Sequence, residues 1–77
     1  MIYNRIAVLR TERSMSRQQL ADKVGVNYQT IGFIERGDYS PSLELAFKIA
    51  KVFEVDLTTV FSDEEFKPMI GKYKEQS

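Results

Sequence analysis

Between residues 16 and 37 the apolar positions follow helical spacing in two short runs, which a glycine separates. Ser16 and Gln19 stand three residues apart at the start of the first run, which is the spacing of a capping box. Gly25 follows the last apolar position of that run, where glycine ends helices because it accepts the left-handed conformation. Asn27 caps the second run. The pattern predicts two helices joined by a tight turn, with inward residues Leu20, Ala21, Val24, Ile31 and Ile34.

Three further helices are predicted around this pair, which makes the fold class all-α with five helices. The first runs from a cap at Asn4 to about residue 13. The fourth spans residues 43–53 behind a cap at Ser40 or Ser42, and a short fifth helix follows Asp56. The inward residues are Ile6 and Leu9 in the first, Leu43, Ala46, Ile49, Ala50 and Phe53 in the fourth, and Leu57, Val60 and Phe61 in the fifth.

Composition limits the chemistry that the chain can perform. A length of 77 residues predicts a single domain over residues 1–77. There is no cysteine for a disulfide or thiolate metal site, and no histidine, the commonest general base and metal ligand. No paired catalytic arrangement stands out, so an enzyme is disfavoured and no cofactor or metal is expected. No apolar run spans a bilayer and no signal peptide is present, so we expect a soluble cytoplasmic protein without membrane contact.

Charge is unevenly distributed although the net charge is zero. Residues 1–36 contain six basic and three acidic side chains, a balance of +3, whereas residues 37–77 contain five basic and eight acidic ones, a balance of −3. Ordinary surface charge is the plain interpretation of this division. A positive half that contains the predicted helix pair would also orient the molecule on DNA.

The helix pair itself is a helix-turn-helix candidate, because the turn is short and polar residues line the outer side of the second helix. Its sequence resembles the phage repressor and Cro type of helix-turn-helix domain, the XRE family. Three segments carry this resemblance, which covers about residues 4–61: SRQQLADKVGV, NYQTIGFIERG and PSLELAFKIAKVFEVDLTTVF. The resemblance implies a lambda-repressor-like fold and binding of double-stranded DNA.

In such domains the N-terminal half of the third helix enters the major groove. The resemblance therefore assigns base contacts to Tyr28, Gln29 and Phe33. Gln29 can donate to and accept from adenine, whereas Phe33 can only pack on a thymine methyl group. Tyr28 can pack in the same way or reach a phosphate with its hydroxyl. The alternative for Phe33 is a place in the core.

Contacts to the DNA backbone are expected from the ends of the second and third helices, where free N–H groups favour phosphate. The candidate residues are Arg13, Ser16, Arg17, Asn27, Arg36 and Tyr39. Three positions depart from many relatives or from helix preference. Arg17 stands where a glutamine is common, Asp38 would repel phosphate, and Gly32 weakens the helix but permits close approach.

The resemblance also implies a partly buried ion pair between Arg10 and Glu35, with two independent surface charges as the alternative. Apolar residues left over near the fourth and fifth helices indicate an interface, which in this family is commonly that of a homodimer. They are Leu45, Phe47, Val52, Phe66 and Met69. The residues assigned to the interface are Leu45, Val52, Phe61 and Phe66. The alternative is that residues 62–77 fold back over this surface. Residues 63–68 are then expected to pair as a strand with residues 1–3, and the last seven residues to fray.

The function expected from the sequence is sequence-specific regulation of transcription, most simply repression, by a homodimer on a palindromic operator. The alternative is an antitoxin or adaptor whose main role is to bind a protein partner, since the same fold serves those proteins.

Overall fold

Five helices and one two-stranded antiparallel sheet make up the computed structural model, which describes residues 1–66 of the chain. The predicted all-α class of five helices is confirmed, and a small sheet is added to it. In chain order the elements are β1 (Tyr3–Asn4), α1 (Ile6–Glu12), α2 (Arg17–Val24), α3 (Tyr28–Glu35), α4 (Leu43–Phe53), α5 (Leu57–Val60) and β2 (Phe61–Ser62).

The boundaries of α2 and α3 follow from their capping residues, as predicted. The Ser16 hydroxyl accepts the N–H of Gln19 at 3.0 Å, and the Gln19 side chain accepts the N–H of Ser16 at 2.8 Å. Gly25 ends α2 with a φ of +76°, a left-handed conformation that favours glycine. Asn27 then caps α3 by accepting the N–H of Gln29 at 2.7 Å. These local bonds fix the short turn between the two helices.

The first residues of the other helices agree less closely with the positions predicted from the sequence. Helix α1 begins behind Arg5, one residue later than predicted, although the Asn4 side chain still accepts the N–H of Ile6 at 3.1 Å. Ser42 is the cap of α4, since its hydroxyl accepts the N–H of Leu45 at 3.1 Å. Asp56 occupies the cap position of α5, but its side chain makes no capping bond.

The core gathers the inward positions of all five helices. Leu43 is the exception, because it is 66% exposed rather than buried. As the first residue of α4 it lies at the end of that helix, where no other described element covers it. The buried hydrophobic residues are Ile6, Leu9, Leu20, Ala21, Val24, Ile31, Ile34, Ala46, Ile49, Ala50, Phe53 and Val60.

The two ends of the described chain pair through β1 and β2. Tyr3 is opposite Ser62 and Asn4 is opposite Phe61, so the pairing of the termini is confirmed. The strand lies at Phe61–Ser62, and residues 63–66, where the sequence predicted it to begin, are not part of it. Phe61 is extended rather than helical because α5 stops at Val60, whose carbonyl accepts the N–H of Arg5 at 2.8 Å. The sequence predictions for Met69 and the frayed end lie outside the described residues.

Candidate nucleic-acid interface

The outward side of α3 carries an exposed stripe of side chains. Tyr28 and Phe33 are 49% and 46% exposed, and Gln29 between them is exposed as well. Ile31 and Ile34 bury the opposite side in the core. Phe33 therefore does not take the alternative place in the core. The three residues predicted to read bases are brought together on one accessible surface.

At the C-terminal end of this stripe, an arginine packs on an aromatic ring and pairs with an aspartate. The Cζ atom of Arg36 lies 5.1 Å from the centroid of the Phe33 ring, which is the range of a cation–π contact. Arg36 Nε also donates to Asp38 Oδ2 at 3.2 Å, and both side chains of this pair are more than half exposed. Phe33, Asp38, Tyr39 and Thr30 line an open depression of about 480 Å³ beside the helix. Asp38, expected to repel phosphate, is thus paired with a basic neighbour.

Glu35, at the C-terminal end of α3, joins three helices. Its Oε2 accepts Arg10 Nε at 2.8 Å, which is the pair that the sequence predicted. Its Oε1 accepts Arg17 Nε at 2.8 Å, a contact that the sequence did not reveal. The Glu35 side chain is only 4% exposed, and Arg10 also donates to the carbonyl of Met15 at 2.8 Å. A buried carboxylate with two guanidinium partners therefore ties α1 and the start of α2 to α3.

Arg13 lies in a different part of the fold from the other predicted phosphate contacts. It donates to the carbonyl oxygens of Leu9 at 3.1 Å and of Phe53 at 3.0 Å. Its Cζ atom also lies 5.3 Å from the Phe53 ring. This side chain therefore closes the C-terminal end of α4, whose last carbonyl groups have no helical partners. A spacing argument within α1 could not show this, because Phe53 is 40 residues away.

The remaining predicted backbone contacts lie around α2 and α3. Arg17, Arg36 and Tyr39 are exposed. Ser16 and Asn27 use their side chains as helix caps, so their contribution to an anion site would come through the N-terminal N–H groups that they order.

The residues assigned to a dimer interface are less exposed than expected. Leu45, Val52 and Phe61 are partly buried and pack on the core, and the Phe66 ring lies 4.1 Å from Arg5 Cζ. The exposed apolar side chains of α4 are instead Leu43 and Phe47. Phe47 lines an open depression of about 570 Å³ with Leu57 and other residues of α4 and α5. The sequence analysis counted Phe47 among the apolar residues without a place in the core, whereas it predicted Leu43 to face inward.

Residues 1–66 contain no cluster of three or more acidic or other ligating side chains arranged to hold a metal ion. Over the same residues, the helices are too short and too polar to cross a membrane.

A helix pair with this turn, these caps and this outward stripe defines a helix-turn-helix DNA-binding domain. A family model described as Helix-turn-helix matches residues 6–60. The chain belongs to this family, in the XRE or phage-repressor type that its sequence resembles, and it is a transcriptional regulator of that type.

Individual relatives agree with this assignment. An "Uncharacterized HTH-type transcriptional regulator" of Archaeoglobus fulgidus is 48% identical over 63 residues, which cover 79% of this chain and 90% of that protein. The CTXphi transcriptional repressor RstR of Vibrio cholerae is 35% identical, over 84% of this chain and 59% of that protein. The crystal structure of the restriction-modification controller protein C.AhdI of Aeromonas hydrophila has a TM-score of 0.67 at 28% identity. The match covers 70% of this chain and 82% of that one.

Proposed function

We propose that this regulator is a repressor that binds a palindromic operator as a homodimer, with α3 in the major groove. The observation that carries the proposal is the outward stripe of α3, where Gln29 lies exposed between the half-exposed rings of Tyr28 and Phe33. The repressor RstR among the relatives supports the sign of regulation.

The stripe offers both kinds of base contact. Gln29 carries an amide that donates and accepts at once, which matches N6 and N7 of adenine in the major groove. The rings of Tyr28 and Phe33 present apolar surface, which matches the methyl group of thymine. We therefore expect the half-site to contain A·T pairs under α3.

Phosphate contacts in this proposal come from helix N-termini and from exposed side chains. Ser16 and Asn27 order the N–H groups at the starts of α2 and α3, which favour phosphate. Arg17, Arg36 and Tyr39 supply exposed side chains. Arg13 is left out of this set because its guanidinium donates to carbonyl oxygens of the fold.

The proposed dimer joins two copies through the α4–α5 end, and binding to one face of DNA requires its two α3 helices to lie about 34–36 Å apart. Phe47 and Leu43 supply exposed apolar surface there. Leu45, Val52 and Phe61 are partly buried and pack on the core, and Phe66 lies against Arg5. Closed two-fold assembly is the commonest arrangement of soluble oligomers.

The test is fluorescence anisotropy with duplex DNA from immediately upstream of the gene, compared with a scrambled duplex at low and near-physiological salt. We expect the wild type to prefer the upstream duplex by a factor of ~10³ or more. Gln29→Ala should reduce this preference on the order of tenfold or more, because one bidentate base contact is lost.

Gln18→Ala is the matched control, since Gln18 is an exposed glutamine on α2 whose amide donates to Asp22 at 2.8 Å. It should leave the preference between the two duplexes unchanged. A folded wild type that binds neither duplex at physiological salt would contradict the repressor proposal. Capture of a protein partner would then favour the antitoxin or adaptor role.

A further inference from the structure

Gly32 is buried although it belongs to the outward side of α3, between Gln29 and Arg36. Two side chains cover it. A Cβ atom on Gly32 would lie 3.4 Å from Arg36 Nη1 and 4.0 Å from both Cζ and Nη1 of Arg17. The missing side chain therefore lets two guanidinium groups, one from the start of α2 and one from the end of α3, meet over the same point of the helix.

Each of these arginines is held through its Nε atom. Arg17 Nε donates to Glu35 Oε1 at 2.8 Å, and Arg36 Nε donates to Asp38 Oδ2 at 3.2 Å. Within residues 1–66, the η nitrogens of neither arginine donate a hydrogen bond to a protein acceptor. The Nε contacts thus fix the orientation of both groups and leave their η nitrogens available.

The local charge also favours an anion at this point. Glu35 is shared between Arg10 and Arg17, so these three side chains together keep one positive charge. Glu35 is buried while Arg17 is 45% exposed, so the surplus charge faces solvent. Arg36 lies beside it and is paired with Asp38, so these two side chains add no net charge to the surplus. An anion between two adjacent guanidinium groups still relieves their repulsion and can accept from both.

We propose that Arg17 and Arg36 form a clamp for a single DNA backbone phosphate over Gly32, and that Glu35 is a positioning residue for this clamp. The clamp rests on the proposed binding of DNA by α3. It adds a sequence-independent anchor next to the base-reading stripe, and it requires that residue 32 has no side chain beyond Cβ, a condition that Gly32 meets.

The salt dependence of DNA binding tests whether the two arginines share one phosphate. The logarithm of the binding constant falls with the logarithm of salt concentration by about 0.9 for each neutralised phosphate. Arg17→Gln, Arg36→Gln and the double variant are compared with wild type on the upstream and the scrambled duplex. Lys23→Gln, which alters an exposed lysine in the last turn of α2, is the matched control.

A shared phosphate predicts that the double variant lowers the slope by about 1 per bound subunit, and that each single variant lowers it by less. Each single variant should weaken both duplexes to the same extent, on the order of tenfold. Slopes that fall by about 1 for each single variant and about 2 for the double variant would mean two separate phosphates and would overturn the clamp alone. Unchanged slopes would overturn it too, and a wild type that binds no DNA would overturn both proposals.

Positioning by Glu35 is tested through Arg17→Lys, which keeps the charge but cannot donate to Glu35 and hold a phosphate with a planar fork. It should lose most of the affinity that Arg17→Gln loses. Adding Glu35→Gln to it should cost no further affinity per folded molecule, with the folded fraction measured by circular dichroism. A wild-type affinity for Arg17→Lys would show that binding needs only a positive charge at residue 17, and it would overturn the positioning role of Glu35. Gly32→Ala should keep wild-type affinity because its Cβ meets the arginines at contact distance, whereas Gly32→Leu should displace them and lower the slope by about 1.

Discussion

Helices α3 and α4 each bury one side in the same core, and each leaves a phenylalanine about half exposed on the other side. Around Phe33 of α3 the neighbours are polar or charged, and the guanidinium of Arg36 lies over the ring. Phe47 of α4 shares an open depression with the apolar residues Leu57 and Val55, and charged side chains of α4 border it. In the function proposed above, the exposed aromatic surface of α3 serves DNA recognition and that of α4 serves association with a second copy.

The two helices also differ in how their charged side chains are held. The carboxylate of Glu35 on α3 is buried and accepts from two arginines at 2.8 Å. On α4, Glu44 and Lys48 form an exposed i,i+4 pair at 3.5 Å. Exposed ion pairs contribute little to the free energy of folding because water screens them. Removing a buried carboxylate costs more, because its basic partners are then left without a counterion.

The largest expected effect follows from this contrast in burial. Glu35→Ala should lower the free energy of unfolding by about 3–5 kcal/mol, because Arg10 would remain in a mostly buried place without its counterion. Glu44→Ala on α4 should change it by less than about 0.5 kcal/mol. Urea denaturation followed by circular dichroism measures both, and equal losses would show that burial of the Glu35 pair does not matter.

The apolar surface of α4 is tested by placing a charge on it. Phe47→Glu should weaken self-association by roughly tenfold to a hundredfold, since a carboxylate would have to be buried in the proposed interface. Analytical ultracentrifugation over a range of concentrations gives the dissociation constant. Val8→Glu, which alters an exposed apolar residue of α1, should leave that constant unchanged. A wild-type protein that stays monomeric at all concentrations would contradict the proposed interface.

The ends of the two helices provide a smaller effect. The residue after the α3 cap is Gly37, which has a φ of +81°. The C-cap of α4 is Glu54, which carries a side chain but has a φ of +58°. Glu54→Gly should stabilise the fold by about 1 kcal/mol, because the left-handed conformation costs about that much for residues with a Cβ atom. Thermal unfolding should show a raised Tm for Glu54→Gly and a lowered Tm for Gly37→Ala. A lowered Tm for Glu54→Gly would contradict the assignment of strain.

The smallest expected effect concerns Asp38, the acidic neighbour of the α3 stripe. Asp38→Asn should strengthen binding to any duplex by about 0.5–1 kcal/mol, since one charge that repels phosphate is removed. The gain should shrink as salt is raised, because salt screens exposed charges. Anisotropy titrations at two salt concentrations check this. Unchanged affinity would place Asp38 away from the DNA backbone.

Local signals made much of α2, α3 and α4 predictable. The capping box at Ser16, the glycine at 25 and the Asn27 cap each act over a few residues, so the sequence shows them directly. The same holds for α4, whose predicted bounds agree with Leu43–Phe53.

The features that escaped prediction depend on contacts between distant parts of the chain. The strand at Phe61 exists because it pairs with Asn4, and the two-residue error in its position came from extending the helical spacing through Phe61. Arg17 meets Glu35 across 18 positions, and Arg13 meets Phe53 across 40. Burial of Gly32 likewise arises from two side chains that come from different helices.

The most direct test of the central claim is a titration of ¹⁵N-labelled protein with the upstream duplex, followed by NMR. The outward stripe of α3 predicts the largest shift changes at the backbone of Tyr28, Gln29 and Phe33 and at the Nε–H groups of Arg17 and Arg36. The scrambled duplex should move the arginine signals and leave the signal of the Gln29 side-chain amide nearly unchanged. Shifts confined to α4, with α3 unperturbed, would contradict the assignment of α3 as the surface that reads DNA.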